Sequence, residues 1–363
     1  MRSLLQNVAG LGRRIPKALQ AVTLLALGLL AAAPAWATHP RDTLAPMGDG
    51  AEVSAWFFWL YLALDVVIFI VVAAGFFYAI MKFRKKPGDD DVPNLELHGN
   101  AKLELIWTII PTIIILALST VTVAGVFELS ADPKLEQKLI DVDVIGKQWW
   151  WEYDYKQHGF STATELHVEE ETQVRLNLTS ADVIHAFWVP RISGKRDATP
   201  GRVYPLSFKP HKLDDGKVAE YVGQCAELCG ASHARMGIKL FVHPKEGPES
   251  FDNWVKAQQE KAREPQTELE QQGKKVFSTK GCVACHSVRG VAELTQRSRS
   301  TGPDLTHVGS RTSIVANTLP NSVENLARWV KNPQEVKEAA LMTNLNLTDE
   351  ESTAVATYLF SLK

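Results

Sequence analysis

The sequence predicts a multidomain membrane protein in three parts: a two-helix transmembrane hairpin, an all-β sandwich and an all-α carboxyl-terminal domain. Three observations carry that reading. Two apolar runs, from Trp56 to Met81 and from Leu105 to Phe127, are each long enough to cross a bilayer. Between Leu139 and Val242, apolar residues alternate with polar ones and are broken by turn residues, the pattern of half-buried strands. Beyond the strands, Gly-Cys-Val-Ala-Cys-His at 281–286 sits between amphipathic stretches, and the chain closes on LTDEESTAVATYLFSLK.

At the amino terminus, Arg13, Arg14 and Lys17 precede LQAVTLLALGLLAAAPAWA. That layout is a signal peptide over residues 1–37 with cleavage after Ala37, the alternative being a short uncleaved membrane helix. The hairpin then occupies 38–130, with helices at about 55–82 and 103–128. KFRKK, Lys82 to Lys86, abuts the first helix and predicts a cytoplasmic loop, so everything after Phe127 lies on the outer face. Pro111 predicts a mild kink of the kind membrane helices tolerate. Asp65 lies deep in the first helix, where an acid must face protein or water, and Glu104 lies at the cytoplasmic end of the second.

The sandwich is placed at 131–248 after the hydrophilic link ADPKLEQK, with strands in LIDVDVIG, QWWWEYDY, TQVRLNLTS and GIKLFVHP and a Greek-key order. In residues 148–155 a period of two puts Trp149, Trp151, Tyr153 and Tyr155 on one face and Trp150, Glu152 and Asp154 on the other. Aromatic strand residues of this kind are ordinarily core.

GQCAELCGASHARMG, from Gly223, gathers Cys225, Cys229, His233 and Met236 on one loop. One Cys with a His and a Met suggests a single blue-copper ion; two thiolates can instead each bridge a pair of coppers. A second imidazole is then needed, and SADVIHAFWVP supplies His185 upstream. A disulfide, a zinc site and a core histidine are the competing readings, and neither of the first two uses the thioether.

Residues 249–267 read as a linker: a helix that breaks near Pro265 and behaves as a hinged tether, against the alternative of continuous packing on the sandwich. The last domain, 268–363, carries Cys282, Cys285 and His286. CxxCH lets two thiols form thioethers to haem while the adjacent imidazole binds iron. Gly302 to Leu305 spells GPDL, and Met342, the only methionine after Met236, stands as sixth ligand with His307 as its rival. Thr348 and Glu351 predict a capping box on the closing helix.

SADVIHAFWVP followed by GQCAELCGASHARM resembles subunit II of haem-copper cytochrome c oxidases, with matching segments from about Ala55 to Val242. The resemblance implies a cupredoxin-like sandwich holding the binuclear copper centre CuA. Its ligands would be His185, Cys225, Cys229, His233, Met236 and the carbonyl of Glu227, whose side chain would reach a magnesium shared with subunit I. QWWW resembles the segment in which the first Trp, here Trp149, accepts the incoming electron. ELIWT resembles the segment whose acid, here Glu104, marks the mouth of a proton pathway, and Asp182 matches an acid near the subunit boundary, or is a plain turn cap. The carboxyl-terminal order is similar to class I cytochromes c, except that Thr343 follows Met342 where proline is usual.

Together the parts resemble subunit II of caa-type oxidases, a proton-pumping oxygen reductase whose oxygen site lies in subunit I. The implied partners are subunits I and III, an external donor such as a soluble cytochrome c or the bc complex, and the lipid of the bacterial inner membrane, with both redox domains on the periplasmic face. The alternatives are a copper-containing nitric oxide reductase subunit and a membrane-anchored electron shuttle or copper carrier. A net charge of −2 without a basic stripe excludes a nucleic-acid binder. The four cysteines form two close pairs, both absorbed by metal or cofactor readings, which leaves no disulfide framework. Charges from Glu268 onward nearly cancel, so the last domain has no strong steering field and depends on its tether.

Overall fold

The computed structural model describes residues 41–85, 99–130, 138–293 and 302–363; the signal-peptide segment and Lys86 lie outside the described residues. Two long helices, α1 (Asp49–Lys82) and α2 (Ala101–Ser130), form an antiparallel pair in which the Tyr61 and Thr122 hydroxyls meet at 2.5 Å. Asn100 starts α2 by accepting hydrogen bonds from the amides of Lys102 and Leu103. Their outer surfaces are apolar, with Phe69 72% and Met81 73% exposed, as lipid-facing helices require. Helix α1 begins six residues before the predicted start, because its polar first turn leaves the bilayer and joins the sandwich. There the Met47 amide donates to the Arg191 carbonyl at 2.7 Å, Asp49 and Lys209 exchange hydrogen bonds, and the Ala51 amide reaches Ile192.

The sandwich has two five-stranded sheets. One is ordered β3 (Phe160–Ala163), β2 (Trp150–Tyr155), β1 (Leu139–Lys147), β5 (Gln173–Ser180), β8 (Tyr204–Phe208). The other is ordered β4 (Glu165–Glu169), β10 (Gly237–His243), β9 (Ala219–Cys225), β6 (His185–Trp188), β7 (Arg196–Ala198). Alternation in β1 and β5 buries Val142, Val144, Leu176 and Leu178 between the sheets. Trp151, Tyr153 and Tyr155 fill the same core, but Trp149 does not share their strand. The register pairs Lys147 with Trp150, which leaves Gln148 and Trp149 as the two residues of the hairpin turn. Glu152, on the opposite face, is also buried, against the Lys147 ammonium at 2.6 Å.

The expected hinge is corrected in its first half. Helix α3 (Phe251–Gln259) places Phe251, Trp254 and Val255 on one stripe; Phe251 and Val255 join the sandwich core, and Trp254 stacks on His167 at 4.2 Å. The end of α3 and the segment after it are fixed to the last domain: the Arg289 guanidinium donates to the carbonyls of Gln258 and Glu260, and Arg263 Nε to that of Ser361 at 2.6 Å.

The carboxyl-terminal domain packs α4 (Glu268–Thr279) against α7 (Asp349–Ser361), with α5 (Val323–Lys331), the short α6 (Pro333–Val336) and a hairpin of β11 (Ser313–Ile314) and β12 (Leu319–Pro320) around them. Phe277, Leu326, Val330, Val355 and Tyr358 form its core, and the Thr348–Glu351 capping box opens α7.

Candidate metal and haem site

Register brings the first donor set together. β6 pairs with β9 so that Phe187 opposes Cys225, which sets His185 at the start of β6 beside the loop that leaves β9. That loop is closed by hydrogen bonds from the Cys225 amide to the Met236 carbonyl and from the Ala226 amide to Ala186, and it returns through a short turn at His233–Arg235.

The sulfur atoms of Cys225 and Cys229 lie 3.8 Å apart, too far for a disulfide, and both thiols are free and buried. His185 Nδ1 lies 3.9 Å from Cys225 Sγ, His233 Nδ1 3.4 Å from Cys229 Sγ, Met236 Sδ 3.9 Å from Cys229 Sγ, and the Glu227 carbonyl 3.3 Å from Cys225 Sγ. His185 is fully buried, and Nε2 donates to Asp182 Oδ1 at 2.8 Å, which turns the Nδ1 lone pair towards the sulfurs. Gly146 makes room: a Cβ there would stand 2.7 Å from the His185 ring. Asp182 also caps its own turn, accepting from the Val183 amide at 2.7 Å.

The electrostatics ask for a cation. A hydrogen bond from the Cys229 thiol holds Cys225 well below the usual thiol range, and the resulting thiolate pushes Cys229 up. Two thiolates this close coexist only against positive charge. His185 is lowered by burial but raised further by Cys225 and Asp182, as a metal would exploit. Two thiolates, two imidazoles and a thioether suit copper, while zinc leaves the thioether unused.

The second donor set lines a cavity of about 590 Å³, within the roughly 300–1,000 Å³ of cofactor sites. Cys282, Cys285, His286 and Met342 all face it. His286 Nδ1 donates to the Pro303 carbonyl at 2.8 Å, leaving Nε2 for iron, and burial keeps the imidazole neutral by lowering its pKa. Gly302 packs on that ring; a Cβ would stand 2.5 Å from Cε1. The donor chemistry and the apolar lining fit a covalent haem. His307 does not line the cavity: its Nε2 bonds the Glu260 carbonyl at 3.1 Å, so the rival sixth ligand fastens the linker instead.

The two sites adjoin. Trp149 lines the cavity, is only 7% exposed, and donates from Nε1 to the Cys229 carbonyl at 3.0 Å, with Gln148 Nε2 on the same oxygen at 2.8 Å. Two residues that sequence reasoning passed over complete this junction. Lys337 is buried and donates to the carbonyls of Trp149 and Arg235, and burial lowers its ammonium to about 7. Glu165 is buried and accepts from Thr312 and Ser313. Neither has a sequence signal, since isolated charges in polar stretches normally read as solvated. Glu104 stands exposed in the first turn of α2, and Asp65 is exposed midway along α1.

A membrane hairpin, a cupredoxin sandwich with a thiolate-rich donor loop and a CxxCH-bearing helical domain define a membrane-anchored electron-transfer protein. The description "Cytochrome C oxidase subunit II, transmembrane domain" matches residues 49–124, "Cytochrome C oxidase subunit II, periplasmic domain" residues 159–242, and "Cytochrome c" residues 270–363. Cytochrome c oxidase subunit 2 of Alkalihalophilus pseudofirmus is 34% identical over 330 residues, covering 88% of this chain and 90% of that one. That of Bacillus subtilis is 32% identical over 333 residues, covering 89% and 92%. A crystal structure of the periplasmic domain of cytochrome oxidase subunit II from Bradyrhizobium japonicum is 32% identical, covering 35% of this chain and 95% of that one with a TM-score of 0.30. The chain belongs to the cytochrome c oxidase subunit II family, in a form that carries its own cytochrome c domain. It is accordingly an electron-transfer subunit of a haem-copper oxidase, and its domains imply copper and haem c.

Proposed function

We propose that this chain is the electron-input subunit of a proton-pumping cytochrome c oxidase, taking electrons at its tethered haem and passing them by way of Trp149 to a CuA centre and on to subunit I, where oxygen becomes water. The single observation that carries this reading is the double placement of Trp149, in the wall of the haem cavity and hydrogen-bonded to the Cys229 carbonyl at 3.0 Å.

When bound, the haem and the copper pair supply one-electron redox chemistry. The protein supplies their settings. Cys282 and Cys285 would anchor the haem by thioethers, and His286 and Met342, which line the same cavity, would bind its iron. Cys225, Cys229, His185, His233, Met236 and the Glu227 carbonyl would hold the coppers, each donor atom lying 3.3–3.9 Å from a cysteine sulfur. Burial of both thiols and of His185 excludes water, so little solvent reorganises when charge moves.

Exposed apolar side chains beside the donors support a docking face for subunit I: Leu228 is 78% exposed next to Cys229, and Val183 and Ile184 lie exposed before His185. The Glu227 side chain would meet the shared magnesium there. Asp65, exposed on a helix otherwise lined with apolar groups, supports a protein neighbour within the bilayer, subunit I or III. Glu104 would open a proton path from the cytoplasm. Leu341, 70% exposed at the cavity rim, would meet an external donor such as a soluble cytochrome c or the bc complex. The outer domains would lie on the periplasmic face of the inner membrane.

A metal and haem count with electron paramagnetic resonance tests the proposal. Two coppers sharing one electron and one covalent haem per chain are expected; a single copper, or a Cys225–Cys229 cystine, would refute it. Turnover with oxygen rather than nitric oxide separates it from a nitric oxide reductase subunit.

A further inference from the structure

The junction between the two outer domains is built around an acidic and a basic side chain, each buried against hydrogen-bonding groups of the other domain. From the copper domain, Glu165 Oε1 accepts four hydrogen bonds from the haem domain: the Thr312 amide at 2.8 Å, Thr312 Oγ1 at 2.7 Å, the Ser313 amide at 3.1 Å and Ser313 Oγ at 3.4 Å. From the haem domain, Lys337 Nζ donates to the carbonyl of Trp149 at 2.6 Å and of Arg235 at 2.7 Å. Glu165 is 3% exposed and Lys337 4%. A polar group with its solvent removed is held in place by whatever satisfies it, because leaving it unpaired costs its full desolvation penalty.

We infer that Glu165 and Lys337 are positioning residues that lock the cytochrome domain onto the copper domain, so that it serves as a fixed donor and does not swing on its linker. The word donor rests on the functional reading above; the lock itself rests on the contacts alone.

Further contacts run between the two pins. Ser232 Oγ donates to the Glu338 carbonyl, Arg235 Nη1 to that of Val336, Lys239 Nζ to Thr312 Oγ1, and the Gly237 amide to the Ala316 carbonyl at 3.0 Å. The haem-domain hairpin tip is shaped for this contact: Val315, Ala316 and Asn317 all have φ between 56° and 60°. That is the left-handed region, which a β-branched residue holds only when its surroundings impose it. The linker has no slack to oppose the lock, being buried along α3 and then tied down by Arg289, His307 and Arg263. Lys337 is particularly placed, because one ammonium holds the turn that carries Trp149 and the residue before Met236 against the cavity wall.

The test uses the full-length, cofactor-loaded protein in detergent. Hydrogen exchange is measured at the amides of Thr312, Ser313 and Gly237, whose bonds cross the domain boundary, and internal electron transfer after rapid haem reduction is measured against glycerol viscosity. The parent protein should protect these amides and transfer at a viscosity-independent rate. Glu165→Gln and Lys337→Met should each speed that exchange about tenfold to hundredfold, with the haem spectrum and copper resonance unchanged, and slow the transfer. Lys337→Arg should restore part of both. Parent amides exchanging as fast as exposed loops, or a parent rate that falls in proportion to viscosity, overturns the lock even if every cofactor is present. Lack of copper or haem would instead sink the functional reading and leave the exchange result standing, and the isosteric Glu165→Gln covers the case in which Lys337→Met does not fold.

Discussion

Replacing Asp182 should loosen copper without touching a copper ligand. Its Oδ1 accepts from His185 Nε2 at 2.8 Å and from the Val183 amide at 2.7 Å, while Oδ2 accepts from the Gln148 amide at 2.7 Å. Asp182→Asn keeps the shape, yet its amide nitrogen must point a donor at one of these donors. Asp182→Ala removes both acceptor oxygens with all three of these hydrogen bonds and frees the imidazole to rotate. A hydrogen bond to a charged group contributes roughly 1.5–3 kcal/mol, and partners that orient metal-ligating histidines typically change affinity by about 10–100-fold. The two figures agree, since a tenfold change is about 1.4 kcal/mol. We therefore expect about 10–100-fold weaker copper retention in Asp182→Ala, measured by competition with a copper chelator. The resonance of the remaining bound copper should be broadened by a mobile His185 ligand, and Asp182→Asn should fall between the parent and Asp182→Ala. Unchanged retention in Asp182→Ala would refute the claim that this carboxylate sets the imidazole's direction.

Three further outcomes follow from the same geometry. Gly302→Ala drives a methyl to within 2.5 Å of His286 Cε1, so the axial ring must shift; the expected loss is about 1–3 kcal/mol of domain stability with an altered haem spectrum, read by denaturant titration and absorbance. Met342→Leu should lower the haem potential by a sizeable part of the roughly 0.8 V that axial ligands span, whereas His307→Gln, away from the cavity, should leave potentiometry unchanged. His167 and His243 are held low by burial, so in the folded state both stay neutral as pH falls through about 6.5, where the unfolded chain takes up protons. Stability should thus be flat above that pH and fall below it by about 1.4 kcal/mol per pH unit for each imidazole, and His167→Phe, which keeps the stack with Phe241 and Trp254, should remove one share of the slope in thermal melts.

Local signals in the chain reached far. Hydropathy located both membrane helices, alternation located the long strands of the sandwich, and Thr348 with Glu351 announced the closing helix through a cap that forms as written. The donor loop was legible because metal chemistry needs those side chains in one place, whatever the fold around them. What escaped was set by contacts between distant segments. Trp149 reads as the first aromatic residue of a strand over 148–155, yet pairing of Lys147 with Trp150 makes it a turn residue. Residues 251–259 read as a polar linker because only Phe251, Trp254 and Val255 are large apolar side chains among polar ones, though one face is buried in the sandwich. Glu165 and Lys337 read as ordinary surface charges, and only the meeting of two domains, whose boundary leaves no periodicity in either sequence, takes them out of water.

The seam at Met47 to Ala51 bears on how this subunit measures distance. Because α1 passes directly from the bilayer into hydrogen bonds with Arg191, Ile192 and Lys209, no pliable stalk separates the membrane from the sandwich on that side. The helix works as a strut: its length and tilt fix the height at which the thiolate loop stands above the lipid. A two-residue insertion near Gly48 would add a joint there, and the altitude of the redox centre, now a constant of the architecture, would become a fluctuating quantity.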